Sequence, residues 1–385
     1  MKKTSLHVAI IGAGLGGLCL AHGLKKHGIS FSIFERDDSP TSRPQGYRIR
    51  IDHTGQSALQ HCLSTSAYTA FVSSCALPST HVQTLTPQLK LIDRWVEAWT
   101  ANDFDSPDLK ADRTAMRQVL LEEVQDRVYF GKKWMHCEVV STKLIRSYFE
   151  DGSTCDATLL VAADGAMSPI REKYMPHIQV QPTVNQCIYG KTLFDQITTL
   201  PAHFYTDTQI IFGNGLSAII EAMSFEDRSS REPYIYWAII GHEQYFGVTK
   251  QVHESRTIDV DQILANATAG WHADLVALFR AADSASVVMT SVKTSTPALL
   301  DTLPNLTALG DAVHVMSPAA GLGANTALHD ARLLSDCLSR VQAGEKELSE
   351  ALGWYEKAMI CHSMAAVAAS QKGGQTLSNP TDNRE

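Results

Sequence analysis

The sequence predicts an α/β chain: a parallel-sheet core assembled from both ends, an inserted antiparallel sheet, and C-terminal helices. Three observations carry this. A strand, a glycine-rich turn, a helix and a second strand follow one another over residues 6–34. Buried-strand runs ending in Asp-Gly or Gly-Asp recur at 157–165 and 306–311. Between these ends, residues 180–295 change to short alternating strands separated by Gly, Asn and Ser turns, which is antiparallel patterning.

Residues 6–11 (LHVAII) are apolar and of strand length. Leu15, Leu18 and Leu24, with Cys19 and Ala21, then recur at helical spacing up to Gly28, and residues 30–34 (SFSIF) read as a second strand. Residues 43–109 look irregular, broken by Pro44, Pro78, Pro87 and Pro107. Asp112 is placed to cap a helix with the stripe Met116, Val119, Leu120 and Val124. Segments 137–149 and 154–161 form a hairpin pattern around 150–153. Candidate strands follow at 186–194, 209–213, 216–223, 234–241 and 245–250, then a helix over 258–280. A strand at 306–309 and helices at 327–338 and 348–369 close the chain, leaving a polar tail. The expected organisation is a core from 1–75, 111–178 and 296–345; a substrate-side unit from 76–110 and 179–295; a C-terminal helix at 346–372; and a flexible tail at 373–385.

Composition narrows the function. Thirty-three Lys plus Arg against forty-one Asp plus Glu give a net charge of −8, a poor match to nucleic acid, which needs clustered cations. Eight scattered Cys without a CxxC pair read as reduced thiols, and no His/Cys cluster suggests a metal. The uncharged run to Leu24 imitates a signal peptide, but five glycines interrupt it, and glycine is poor in a helix interior. A soluble, cytoplasmic protein without a membrane segment is expected.

Gly12-Ala13-Gly14-Leu15-Gly16-Gly17 contains GxGxxG at 12, 14 and 17. In a strand–turn–helix setting, Gly12 allows the tight turn, Gly14 lets backbone approach a pyrophosphate, and Gly17 lets the helix sit close to the sheet. Leu15 opens that helix, whose free N–H groups attract phosphate. Glu35, 18 residues beyond Gly17 and followed by Arg36, is placed to accept hydrogen bonds from an adenosine ribose and to repel a 2′-phosphate, which suits FAD or NAD.

Further motifs separate the two. LVAADGAMSPIR (160–171) and LGDAVHVMSPAAGLGAN (309–325) each run from a strand into an acidic turn. Arg113 falls about 60° from Met116 at 100° per residue, on the apolar stripe, and a buried guanidinium requires an anionic or hydrogen-bonding partner. With GAGLGG, FER, GYRIRI and DRTAMRQVL, these residues resemble the class A FAD-dependent monooxygenases of the p-hydroxybenzoate hydroxylase fold, closest to small fungal and bacterial secondary-metabolite and tetracycline-inactivating members. The resemblance spans residues 5–340 and is loose over 180–295.

It implies a Rossmann-like FAD-binding domain with the inserted sheet on the substrate side. Gly12, Gly14 and Gly17 would cradle the pyrophosphate, and Glu35 would hold the ribose. Arg113 would reach the cofactor, and Gly46 would line the flavin. Asp164 and Arg171 match a motif associated with FAD and nicotinamide nucleotide, and Asp311 one that binds the ribityl chain or pyrophosphate. Gly323, Ala324 and Asn325 would open a helix beside the isoalloxazine. His314 reads as a loop-ordering residue.

The resemblance further implies NADPH or NADH as co-substrate, dioxygen, and transfer of one oxygen through a flavin hydroperoxide to an aromatic or polyketide-like molecule. Residues 43–51 and the insert would supply substrate contacts. Arg48 and Tyr236 are weak catalytic candidates, with Tyr189, Tyr205 and Trp237 as possible pocket walls or plain core. A flavin halogenase lacks its WxWxIP segment here. A reductase or dehydrogenase without oxygen insertion, or a lapsed flavin-binding protein, stays as an alternative, and either a monomer or a homodimer fits.

Overall fold

The computed structural model describes residues 6–42, 47–96, 107–197, 199–226, 231–247, 259–282 and 284–378. In chain order the strands of the first half are β1 (His7–Ile11), β2 (Ser30–Phe34), β3 (Arg48–Ile51), β4 (His81–Leu85), β5 (Leu91–Val96), β6 (Leu109–Asp112), β7 (Val128–Tyr129), β8 (Trp134–Ser141), β9 (Leu144–Phe149), β10 (Thr154–Ala157) and β11 (Leu159–Ala162). Those of the second half are β12 (Val180–Leu193), β13 (Thr208–Gly213), β14 (Leu216–Met223), β15 (Tyr234–His242), β16 (Val288–Ser295) and β17 (Leu306–Ala308). The α-helices are α1 (Leu15–Lys26), α2 (His53–Cys62), α3 (Thr65–Ser74), α4 (Arg113–Glu122), α5 (Pro169–Tyr174), α6 (Val260–Ala267), α7 (Ala273–Arg280), α8 (Gly323–Gln342) and α9 (Leu348–Ser378).

Five strands make the core sheet in the order β17-β11-β1-β2-β7, every pair parallel. Parallel strands covered on both faces read as continuous apolar runs, and Val8, Ala9, Ile10, Leu159, Leu160 and Val161 are fully buried. β8, β9 and β10 form an antiparallel side sheet. The second large sheet has seven strands, β16-β12-β15-β14-β13-β4-β5. Its β15 alternates: Ile235, Trp237 and Ile239 point into a core shared with α6 and α7, whereas Tyr234 and Tyr236 lie on the other face. A two-stranded ribbon, β3 with β6, carries Arg48 and Arg50.

Several local expectations change. The stretch 43–109 is not irregular; it holds two short helices whose N-termini are capped by Asp52 and Ser64. The helix expected over 258–280 is two helices, interrupted where Gly270 takes φ +80°. Residues 243–246 form a 3-10 turn where the strand expected at 245–250 would begin, and residues 248–250 lie outside the described residues. The helix ending at 372 with a tail from 373 is corrected too: α9 continues to Ser378. Gly373 and Gly374 lie within it, beside Ala319 and Ser317. Among the described residues, no helix is long and apolar enough to cross a membrane.

Candidate functional site

β1 delivers the glycine turn to the carboxyl edge of the core sheet, where α1 begins. Gly12 has φ +112°, a backbone that side chains rarely adopt, and a Cβ there would stand 2.3 Å from the Ala163 carbonyl oxygen. At Gly17 a Cβ would meet the Gly12 carbonyl oxygen at 2.2 Å, whereas at Gly14 it would meet nothing within 4 Å. Two of the three glycines are therefore demanded by the fold, and the third faces open space. α1 starts at Gly14 without a capping side chain, as α8 does at Leu322. Helices α2 to α7 all have one. Uncapped N–H groups carry partial positive charge and await a partner.

Both bare helix ends open on one cleft. A cavity of 360 Å³ is lined by Gly14, Leu15, Gly17, Gly323 and Ala324, with Arg48, Tyr236, Arg113 and Asp311. A second of 720 Å³ is lined by Gly12, Gly14, Glu35, Arg36, Trp134, Asp164, Arg113 and Asp311. Shared walls at Gly14, Arg113 and Asp311 join the two. Such volumes are those of ligand sites. The glycine turn and Asp311, from opposite ends of the chain, thus line the same cleft.

Glu35 braces the turn: its carboxylate accepts from the Ala13 amide at 2.9 Å and the Asp37 amide at 3.1 Å. Arg36 is exposed at the cavity rim. Asp164 has both carboxylate oxygens shielded from water and without an ordinary hydrogen-bond partner. Burial raises its pKa to about 6, although nearby Ser168 and Ile170 donors pull the other way. A buried carboxyl with only strained donors nearby is expensive, and in the cleft wall it fits a site built to receive a polar ligand. Burial also raises the pKa of Asp311, against the pull of His314 and Arg113. Burial lowers that of Arg113, against Asp311. Arg113 leaves the Asp112-capped start of α4, where Asp112 accepts from the Ala115 amide at 2.9 Å.

Some expected site residues do other work. Asn325 lines neither cavity. Its amide donates to the carbonyls of Arg50 and Gly321, both at 3.0 Å, and accepts from the Asp52 amide at 3.1 Å, clamping β3 and α2 onto α8. Arg171 donates to the carbonyls of Ala312 at 3.1 Å and Ala166 at 2.9 Å, so it ties the two acidic turns together. Arg48 is no free anion receptor: its Nε lies 2.6 Å from Glu221, which is wholly buried. Tyr189 and Tyr236 line the cleft, whereas Trp237 is buried on the opposite sheet face and Tyr205 packs edge-on against Phe194. Gly46 lies outside the described residues.

His314 is buried, with Nε2 2.6 Å from Asp330, which also accepts from the Gly310 amide at 2.9 Å and pairs with His362 at 2.9 Å. Burial opposes the charged imidazole, but Asp330 outweighs it and raises the His314 pKa. Burial likewise opposes the Asp330 carboxylate, and His314 outweighs it and lowers that pKa. This pair orders the 310–314 turn. Sequence reasoning missed Asp330 and Glu221, because their partners lie on other elements. Away from the cleft, His27, His61 and Asp336 bring potential metal-ligating atoms within 4.8 Å of one another.

The sequence matches the FAD binding domain family over residues 135–370 and the NAD(P)-binding Rossmann-like domain family over residues 10–67. It is 32% identical to a dual O-methyltransferase/FAD-dependent monooxygenase of Phaeosphaeria nodorum, over 96% of this chain and 44% of that protein. It is 25% identical to an aurachin C monooxygenase/isomerase of Stigmatella aurantiaca, over 97% of this chain and 90% of that one. The chain thus spans less than half of the first relative. The fold superimposes on a putative FAD-containing monooxygenase of Photorhabdus luminescens with a TM-score of 0.83, at 27% identity and 98% and 100% coverage.

Proposed function

Because the chain belongs to the FAD binding domain family, many of whose relatives are FAD-dependent monooxygenases, we propose that it oxygenates an aromatic or polyketide-like small molecule with NADPH or NADH and dioxygen, in secondary metabolism or degradation in the cytoplasm. FAD, when bound, supplies the acceptance of a hydride from NAD(P)H and the activation of dioxygen, of which one atom enters the substrate and the other leaves as water.

The chain's own residues hold and orient. Gly12, Gly14, Leu15 and Gly17 would carry the diphosphate on the bare start of α1. Glu35 and Arg36 would sit at the adenosine, and Arg113, Asp164 and Asp311 along the middle. Gly323 and Ala324 would place the bare start of α8 against the flavin ring, favouring negative charge there. Gly46 would join them. Asn325 would act through its clamp on β3, and Arg171 by tying the acidic turns. Tyr236 and Arg48 close the far end, where excluding water protects the oxygen transfer.

The observation that carries this reading is the convergence of two uncapped helix starts and the buried, poorly hydrogen-bonded Asp164 carboxyl on one cleft. Purified protein should be yellow and release FAD. A panel of phenols and polyketides should contain a member that stimulates both NAD(P)H oxidation and oxygen uptake, with product one oxygen heavier. NAD(P)H consumption without oxygen uptake would replace the reading with a reductase, and no stimulation by any compound with a lapsed flavoprotein.

A further inference from the structure

Resting on that reading, we infer that the substrate enters as an electrically neutral phenol or quinol without a carboxylate, and that Glu221 enforces this. Three guanidinium groups line the smaller cavity: Arg48, Arg50 and Arg113. Two of the three already face a carboxylate. Arg48 engages Glu221 through Nε at 2.6 Å and Nη2 at 3.2 Å. Arg50 is ion-paired with Asp108. Arg113 feels Asp311 only at longer range and lines both cavities, which on that reading commits it to the cofactor.

Glu221 is fully buried and stands directly across from Tyr236 in the β14–β15 register. The Thr208 hydroxyl lies 3.2 Å from its second oxygen. Tyr236 stays protonated, since burial raises its pKa, and so offers a neutral hydroxyl. The neighbouring ammonium groups face elsewhere. Lys191 lies over the Tyr47 and Tyr234 rings at 5.2 and 5.4 Å. Lys110 donates to Ser79 and to the Ala222 carbonyl.

With Arg113 taken up by the cofactor, a carboxylate brought into this cavity would lose its water and meet no further uncommitted cation among the described residues. Such a buried, unpaired charge is strongly disfavoured. The diphosphate at the glycine turn would add further negative potential. A phenol hydroxyl instead exchanges hydrogen bonds with Tyr236 and leaves the Arg48–Glu221 pair intact. Replacing Glu221 with a neutral group frees the Arg48 charge for an anion.

The test uses FAD-loaded protein and matched pairs, naphthol against hydroxynaphthoate and orcinol against orsellinate, titrated by the change in flavin absorbance. Wild type should bind the neutral member tighter by roughly tenfold or more, and Glu221→Gln should narrow or reverse that ratio through gained carboxylate binding. Equal binding, or preference for the carboxylate, by wild type overturns the inference while leaving the monooxygenase reading untouched. A neutral compound that binds but is never oxygenated sinks that reading and supports the neutral site. If no member of either pair binds, the aromatic substrate class falls and the inference falls with it.

Discussion

Substituting Ala for Gly14 separates the needs of the fold from those of a ligand. Gly14 has φ −79° and ψ 177°, which alanine adopts freely, and its new methyl would meet nothing within 4 Å. Loss of glycine's unfolded-state freedom stabilises by about 0.4–1 kcal/mol. Alanine is a poorer N-cap than glycine, by about as much. The two nearly cancel, so cofactor-free Gly14→Ala should melt within a few degrees of wild type. Gly12→Ala is the contrast. Forcing alanine to φ +112° costs about 1–3 kcal/mol, and relieving a 2.3 Å approach to Ala163 costs about 1–3 kcal/mol more.

Binding should invert the order of interest. At Gly14 the methyl projects where a diphosphate would lie against the start of α1, an overpacking of about 1–3 kcal/mol, or between five- and more than a hundredfold in FAD affinity. The assay is quenching of flavin fluorescence on titration of the cofactor-free proteins, with melting curves alongside. Gly14→Ala that binds FAD as tightly as wild type, or that melts as low as Gly12→Ala, would refute the reasoning.

Asp330→Asn should cost roughly 3–5 kcal/mol, because His314 loses its buried counter-charge. The Asp330 pKa is depressed, so its contribution is present above the ordinary carboxylate range and lost as pH falls below it. The His314 pKa is raised, so its contribution is complete below the usual histidine value and lost as pH climbs through the elevated one. Melting curves of the two proteins should diverge most between about pH 4 and 6.5 and draw together only below the depressed Asp330 value and above the raised His314 value. Asn325→Ala should cost about 1–3 kcal/mol and speed hydrogen exchange at the Asp52 amide; unchanged exchange there would remove the clamp.

The core could be read in advance where information is local. Residues 6–34 carry strand, turn, helix and strand within one short stretch, and the Asp112 cap precedes its helix directly. The short helices α2 and α3 were hidden because four prolines drew attention to breaks, although Asp52 and Ser64 stood where caps belong. Arg48 looked available because nothing near it in sequence is acidic on its strand; Glu221 arrives from β14 only once the sheet has formed. Asn325 sat in a glycine-rich loop pattern, and only packing shows that its amide is consumed by the backbone of β3 and α2. Long-range pairing of polar groups was the hidden part, because neither propensity nor periodicity encodes it.

The strand order β17-β11-β1-β2-β7 has a consequence for biosynthesis. Of these five strands β1 is made first and occupies the middle of the sheet, and β17, which pairs with the far edge of β11, is made well after the other four. Until residues 306–308 emerge, β11 presents a bare apolar edge, the kind of template on which nascent chains stick to one another. Ribosome stalling or premature termination before that point would therefore yield insoluble product.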